Sequence, residues 1–138
     1  MNAHIYDYPR PALTTDCVIL RLRGKVLSVL LIERRNPPFQ GCWAFPGGFV
    51  DEWETAEDGA MRELREETGL SGIGLKQFHA FSRPGRDPRG WTVTIAFYGC
   101  LGNDDSMHPV GADDAVRACW FPVDALPPLA FDHREILD

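Results

Sequence analysis

Between positions 13 and 34 the chain reads as two strands around a turn. Leu13 to Leu22 alternates apolar with polar and is rich in β-branched residues, Arg23-Gly24-Lys25 breaks the pattern, and Val26 to Arg34 resumes it. Asn36-Pro37-Pro38 ends the second strand, and Phe39 to Phe49 is a Gly- and aromatic-rich passage expected to be a loop. Its Pro46-Gly47-Gly48 reads either as a tight turn or as backbone that lets a ligand approach closely. The period then changes. Thr55 can cap a helix, Asp58 stands three positions on, and Gly69 supplies a stop, so a helix is expected over Ala56 to Thr68. Strands are expected at Ile73 to Phe81, Trp91 to Leu101 and Val116 to Phe121, with a polar Pro/Gly loop from Ser82 to Gly90. After Pro122, Pro127 and Pro128 a short helix is expected within Asp132 to Leu137. Strands on both sides of one strong helix imply a mixed α/β sheet flanked by helices.

With 138 residues and 44% hydrophobic content, one core and one domain are expected over residues 1–138, with residues 1–11 an extended arm carrying Tyr6, Tyr8, Pro9 and Pro11. The longest purely apolar run, Val29 to Ile32, is far short of a membrane span, and no signal sequence is apparent. Cys17, Cys42, Cys100 and Cys119 form no C-x-x-C pair, so they are expected to be reduced thiols in a soluble, cytoplasmic protein. The net charge of −6 argues against nucleic-acid binding, which needs a basic surface.

The acidity is concentrated. Asp51, Glu52, Glu54, Glu57, Asp58, Glu63, Glu66 and Glu67 lie between Gly48 and Leu70, with only Arg62 and Arg65 against them. At 100° per residue Ala56, Ala60, Glu63 and Glu67 fall within about 60° of one another, on the stripe that small residues mark as inward. Burying unpaired carboxylates would cost several kcal/mol each. Glu63, Glu66 and Glu67 could form an oxygen cage for Mg²⁺ or Mn²⁺, or the helix could present a solvated acidic face with Arg62 and Glu66 an ordinary i, i+4 pair. Helix geometry admits both. A cation there would make hydrolysis of a phosphoanhydride natural chemistry, since it neutralises the diphosphate and acidifies water.

The pattern Gly48-x5-Glu54-x7-Arg62-Glu63-Leu64-x-Glu66-Glu67-x-Gly69-Leu70 matches the complete signature of the Nudix hydrolase family over its 23 positions, residues 48–70. That resemblance implies an α/β/α sandwich with the signature forming loop, helix and loop, and a Mg²⁺ or Mn²⁺ site. By the same resemblance Glu63, Glu66 and Glu67 are metal ligands with the Gly48 carbonyl adding an oxygen, and Glu54 and Arg62 support them. Outside the signature, Phe39 to Gly48, the loop Ser82 to Gly90 with the following Trp91 to Thr94, and Leu129 to His133 resemble the ADP-ribose pyrophosphatases.

What that subgroup implies is attack of water on ADP-ribose to give AMP and ribose 5-phosphate. Arg83, Arg86 and Arg89 are expected to contact substrate and Phe39, Trp43 or Trp91 to stack on adenine; the plainer alternative is arginines paired locally to Asp87 and aromatics in the core. The proton acceptor is expected to be Glu63 or Glu67, or an acid of the loop before the last strand: Asp104, Asp105, Asp113 or Asp114, with Asp113 and Asp114 preferred and Asp114 taken as the catalytic candidate. No catalytic role is assigned to His79, His108 or His133. Rival readings are hydrolysis of a nucleoside triphosphate, NADH or a dinucleoside polyphosphate, or a non-catalytic sensor of an ADP-ribose-type ligand. The sensor is disfavoured by the intact signature and by a length that leaves no room for a winged helix. A homodimer is expected from the subgroup resemblance and the N-terminal arm, and the chain's end soon after Asp132 to Glu135 makes the packing of its terminal helix the least secure part of the resemblance.

Overall fold

A computed structural model describes residues 5–101 and 115–137. The elements are β1 (Ala12–Arg23), β2 (Val26–Arg34), β3 (Trp43–Ala44), β4 (Gly47–Phe49), α1 (Ala56–Thr68), β5 (Lys76–Phe81), β6 (Thr92–Leu101), β7 (Ala115–Pro122) and α2 (His133–Leu137). They form one mixed sheet in the order β3-β2-β1-β6-β5, with β4 also paired to β1 and β7 to β2. β1 and β6 run parallel from Ala12↔Thr92 to Arg21↔Leu101, and the other described strand pairs are antiparallel, apart from an isolated parallel bridge between Trp43 and Leu129. Among the described residues no helix is long and apolar enough to cross a membrane.

Both faces of the sheet are covered, and this explains the composition of its centre. Cys17, Ile19 and Leu30 pack with Ala60 and Leu64 of α1, while Val18, Val29 and Leu31 pack on the other face with Ile136 of α2. Thr14 to Ile19 and Ser28 to Ile32 are therefore buried without a break, where one-sided strands would alternate. Each fully buried Leu, Ile or Phe side chain there contributes roughly 1.5–3 kcal/mol. The α/β/α sandwich is as expected.

Several local expectations shift. The passage Phe39 to Phe49, expected as a loop, contains β3 and β4, each too short to carry a period. β5 starts at Lys76 rather than Ile73, because Ile73 turns into the core against Gly99, where a Cβ would lie 2.8 Å from its Cγ2. Trp91 precedes β6 and is exposed, its carbonyl accepting the Ala12 N–H. In the described part of the arm Ile5, Tyr6 and Tyr8 are exposed, with Arg10 over the Tyr6 ring.

β1 serves two partners on one edge, and this fork opens the site. Leu20 to Arg23 pair with β2, whereas Thr14 to Asp16 pair with β4. β2 meanwhile diverges to pair with β3 and β7. The space between the diverging strands becomes a cleft.

Candidate active site

α1 forms one side of the cleft. Its N-terminus is fixed by Thr55, whose hydroxyl accepts from the Asp58 N–H at 3.1 Å, and its end by Gly69 at φ 78°, whose N–H reaches the Arg65 carbonyl. The resulting rotation buries Ala60, Leu64 and Glu67, brings Glu63 to the cleft and leaves Glu66 39% exposed along its side chain.

β4 lies so close to α1 and β1 that side chains do not fit. The Gly47 N–H donates to Glu67 Oε1 at 2.6 Å, and a Cβ on Gly47 would overlap the Thr15 carbonyl. A Cβ on Gly48 would stand 2.7–2.9 Å from the Glu63 carboxylate. Pro46-Gly47-Gly48 is thus neither a turn nor loose loop; its glycines let a strand pass between a neighbour's backbone and two carboxylates.

Arg62 organises the acids around this strand. Its Nε and Nη2 donate to the two oxygens of Glu54 at 2.8 and 3.0 Å, Nη2 also to the Phe49 carbonyl, and Nη1 to Glu63 at 2.9 Å and Glu66 at 3.2 Å. Glu54 Oε1 further accepts the Asp51 N–H, and the hydrogen bonds from Arg62 and Asp51 bring the Glu54 carboxyl down to about 2. Glu63 goes the other way: burial raises its pKa despite the Arg62 contact. Arg62 Nη1 thus bridges Glu63 and Glu66 while Glu67 accepts the Gly47 N–H, and among the described residues no three His, Cys, Asp or Glu groups converge on one point. The residues nonetheless fit a divalent cation. Glu63, Glu67 and the Gly48 backbone offer hard oxygens, burial leaves Glu63 under-neutralised, and the neighbouring Thr15 hydroxyl is buried without a hydrogen-bond partner.

The rest of the lining is basic and aromatic. The cleft encloses about 420 Å³, a volume typical of small-molecule sites. Arg86 sits in the wall, donating to both oxygens of Asp132 at 2.8 and 2.6 Å and to the Thr92 hydroxyl at 3.1 Å. Arg89 is gripped through Nε and Nη2 by Asp87, as the plainer reading of the loop foresaw, and lies over the rings of Phe49 and Phe131 at 4.8 and 5.2 Å. Arg83 is not at the cleft; it is exposed and pairs with Glu135 at 3.2 Å. Trp43 is in the core, its ring edge-to-face with Phe121 at 4.7 Å, so it has no free face for a base. Phe39 and Trp91 stand outside the lining, Phe39 packing its ring against Phe131 at 4.9 Å. The rings that do line the cleft are Phe45, Phe49 and Phe131. Asp104, Asp105, His108, Asp113 and Asp114 lie outside the described residues.

Residue-type reasoning missed Asp16, Arg34, Phe49, Phe131 and the bond-making role of His133, all of which line the cleft. Asp16 carried a signal: it is a lone acid within a run of buried β-branched positions.

The NUDIX domain matches residues 10–138. The chain belongs to the NUDIX domain family. It is 41% identical over 131 residues to an ADP-ribose pyrophosphatase of Methanocaldococcus jannaschii, covering 94% of this chain and 73% of that one. It is 35% identical over 135 residues to the ADPR responsive transcriptional repressor NtrR of Acinetobacter baylyi, covering 95% of this chain but about half, 53%, of the repressor. Among solved structures, the NUDIX domain of Shewanella oneidensis NrtR complexed with ADP ribose superposes with a TM-score of 0.83 at 31% identity, over 96% of this chain and 89% of that one. In Nudix terms residues 48–70 contribute β4, α1 and the Arg62 network, and the rest of the cleft comes from sequence far from the signature.

Proposed function

We propose that this Nudix pyrophosphohydrolase hydrolyses ADP-ribose to AMP and ribose 5-phosphate with Mg²⁺ or Mn²⁺. The observation that carries the reading is the meeting of Glu63 and Glu67 with Gly47 and Gly48 in a cleft that Arg86 and Arg89 also line. Similarity to the M. jannaschii ADP-ribose pyrophosphatase over nearly the whole chain supports the choice of substrate.

In this proposal Glu63, Glu66, Glu67 and the Gly48 carbonyl would hold the cation. Bound there, a divalent ion would supply neutralisation of the diphosphate and an acidified water. The protein's own groups do the rest. Arg89, a planar cation lying over the rings of Phe49 and Phe131, meets the diphosphate, and the exposed part of Phe49 offers apolar surface to the adenine. Arg86 spends three of its N–H groups on Asp132 and Thr92 and keeps others for the substrate. The water's proton goes in this reading to Asp114, with Glu63 or Glu67 of α1 as the alternative acceptor.

Incubation with ADP-ribose, with and without Mg²⁺ or Mn²⁺, tests the reading. The expected result is metal-dependent AMP and ribose 5-phosphate, reduced about a hundredfold or more in Glu67→Gln. Turnover of a nucleoside triphosphate, NADH or a dinucleoside polyphosphate in its place would reassign the substrate. Similarity to the NtrR repressor favours one further reading, a domain that binds ADP-ribose without cleaving it; saturable binding with no product would select it.

A further inference from the structure

Asp16 is a buried carboxylate in the cleft wall, its side chain 10% exposed. Among the described residues two neutral groups face it. Oδ2 accepts the Thr94 hydroxyl at 2.6 Å, and Oδ1 faces His133 Nε2 at 3.3 Å. His133 is uncharged in this arrangement because its Nδ1 accepts the Phe45 N–H at 3.0 Å, which places the ring's proton on Nε2. The nearby guanidinium of Arg86 is turned to Asp132. The Arg86 charge acts on Asp16 across the wall, but its hydrogen bonds go elsewhere, and among the described residues Asp16 accepts a hydrogen bond from Thr94 alone, so its carboxylate keeps acceptor capacity on both oxygens. It is therefore poised to accept another hydrogen bond from whatever fills the cleft.

The position narrows what that donor is. Asp16 pairs in register with Gly47, whose N–H is on Glu67, so it stands at the diphosphate end of the cleft. A phosphate against it would meet like charge. The nucleobase is drawn instead to the exposed aromatic mouth at Phe49. Directly beside a diphosphate, the neutral donors of a nucleoside diphosphate sugar are the hydroxyls of its riboses.

Resting on the hydrolase reading above, we propose that Asp16 is a specificity-determining residue that accepts a hydrogen bond from a substrate ribose hydroxyl, with His133 as the positioning residue that holds its carboxylate. The adenosine ribose and the terminal ribose present the same chemistry, and the test separates them.

Calorimetry measures Kd for ADP-ribose, for the methyl ester of ADP, which lacks the terminal ribose, and for ADP-ribose whose adenosine sugar is 2′,3′-dideoxy, with Ca²⁺ as the cation. One analogue is expected to bind about ten- to a hundredfold more weakly than ADP-ribose, and thereby to identify the sugar. In Asp16→Asn that preference should fall to about threefold or less. Should that variant not fold, His133→Gln, which leaves the carboxylate charged but removes the imidazole packed against it, should lower the same preference at least threefold. Equal Kd for all three ligands, a preference unchanged in the variants, or no binding of any overturns the inference. Because Kd is read without turnover, failure to hydrolyse ADP-ribose counts against the enzymatic reading alone.

Discussion

Adjacent glycines in β4 have different tasks, and substitution separates them. At Gly48 the added methyl meets the far end of the flexible Glu63 side chain, whereas at Gly47 it meets Thr15 backbone. Gly48→Ala should therefore fold normally while displacing Glu63, with activity down by about 10- to 100-fold, the scale of an ångström-level misplacement. Gly47→Ala should instead lower the melting temperature and shift the urea midpoint, since β1 and β4 cannot both keep their register. Thermal melts alongside kinetics distinguish the two; an active, stable Gly48→Ala would mean that Glu63 need not sit where it does. At this scale much was legible. Helix periodicity alone put Glu63 and Glu67 on the inward stripe, because the chemistry of a carboxylate is local, whereas Gly48 and Arg62 were singled out only through the family signature. Trp43 was misjudged as a stacking residue because exposure is not local: its neighbour Phe121 arrives from β7.

The helix with its Arg62 network is the best-buttressed element of the site, and its ion pairs carry a pH signature. The Glu54 carboxyl is lowered to about 2 from an ordinary value of 4.5. A lowered carboxylate contributes stability that is whole above the ordinary value and disappears as pH falls through the folded one. Denaturant titrations from pH 6 to pH 2 should show wild type losing stability relative to Glu54→Gln between about 4.5 and about 2. A difference independent of pH would remove Glu54 from the network. Glu63, raised by burial, acts in the opposite sense, because its neutral form suits the fold and its charge weakens it as pH rises past the ordinary carboxylate value. The bounds of α1 matched the sequence reading at both ends, since a capping Thr and a terminal Gly state them directly. β3 and β4, of two and three residues, left no period to read and are defined by what they pair with.

At the scale of the whole molecule, two residues at the start of α2 tie distant segments into the cleft wall: Asp132 holds Arg86 from the β5–β6 connection, and His133 holds Asp16 of β1. Both partners of the Asp132–Arg86 pair are 4% exposed along their side chains. Asp132→Ala should cost about 3–5 kcal/mol in a urea titration by leaving a buried guanidinium without its carboxylate, and replacing both partners by apolar residues should recover part of that loss. A cost below about 1 kcal/mol would show that water reaches Arg86. None of these pairings was legible in advance, because nothing in the spacing of residues 16, 86, 132 and 133 announces that they meet. The parallel union of β1 with β6 has one more consequence, for the order in which the molecule comes into being. Ala12 waits for Thr92 and Arg21 for Leu101. Closing such a long loop is entropically unfavourable and slow, while α1 can form within microseconds from its own sequence. During synthesis β1, β4 and α1 are all made before β6, so the cleft they share is completed late, when the second half of the chain finds the first.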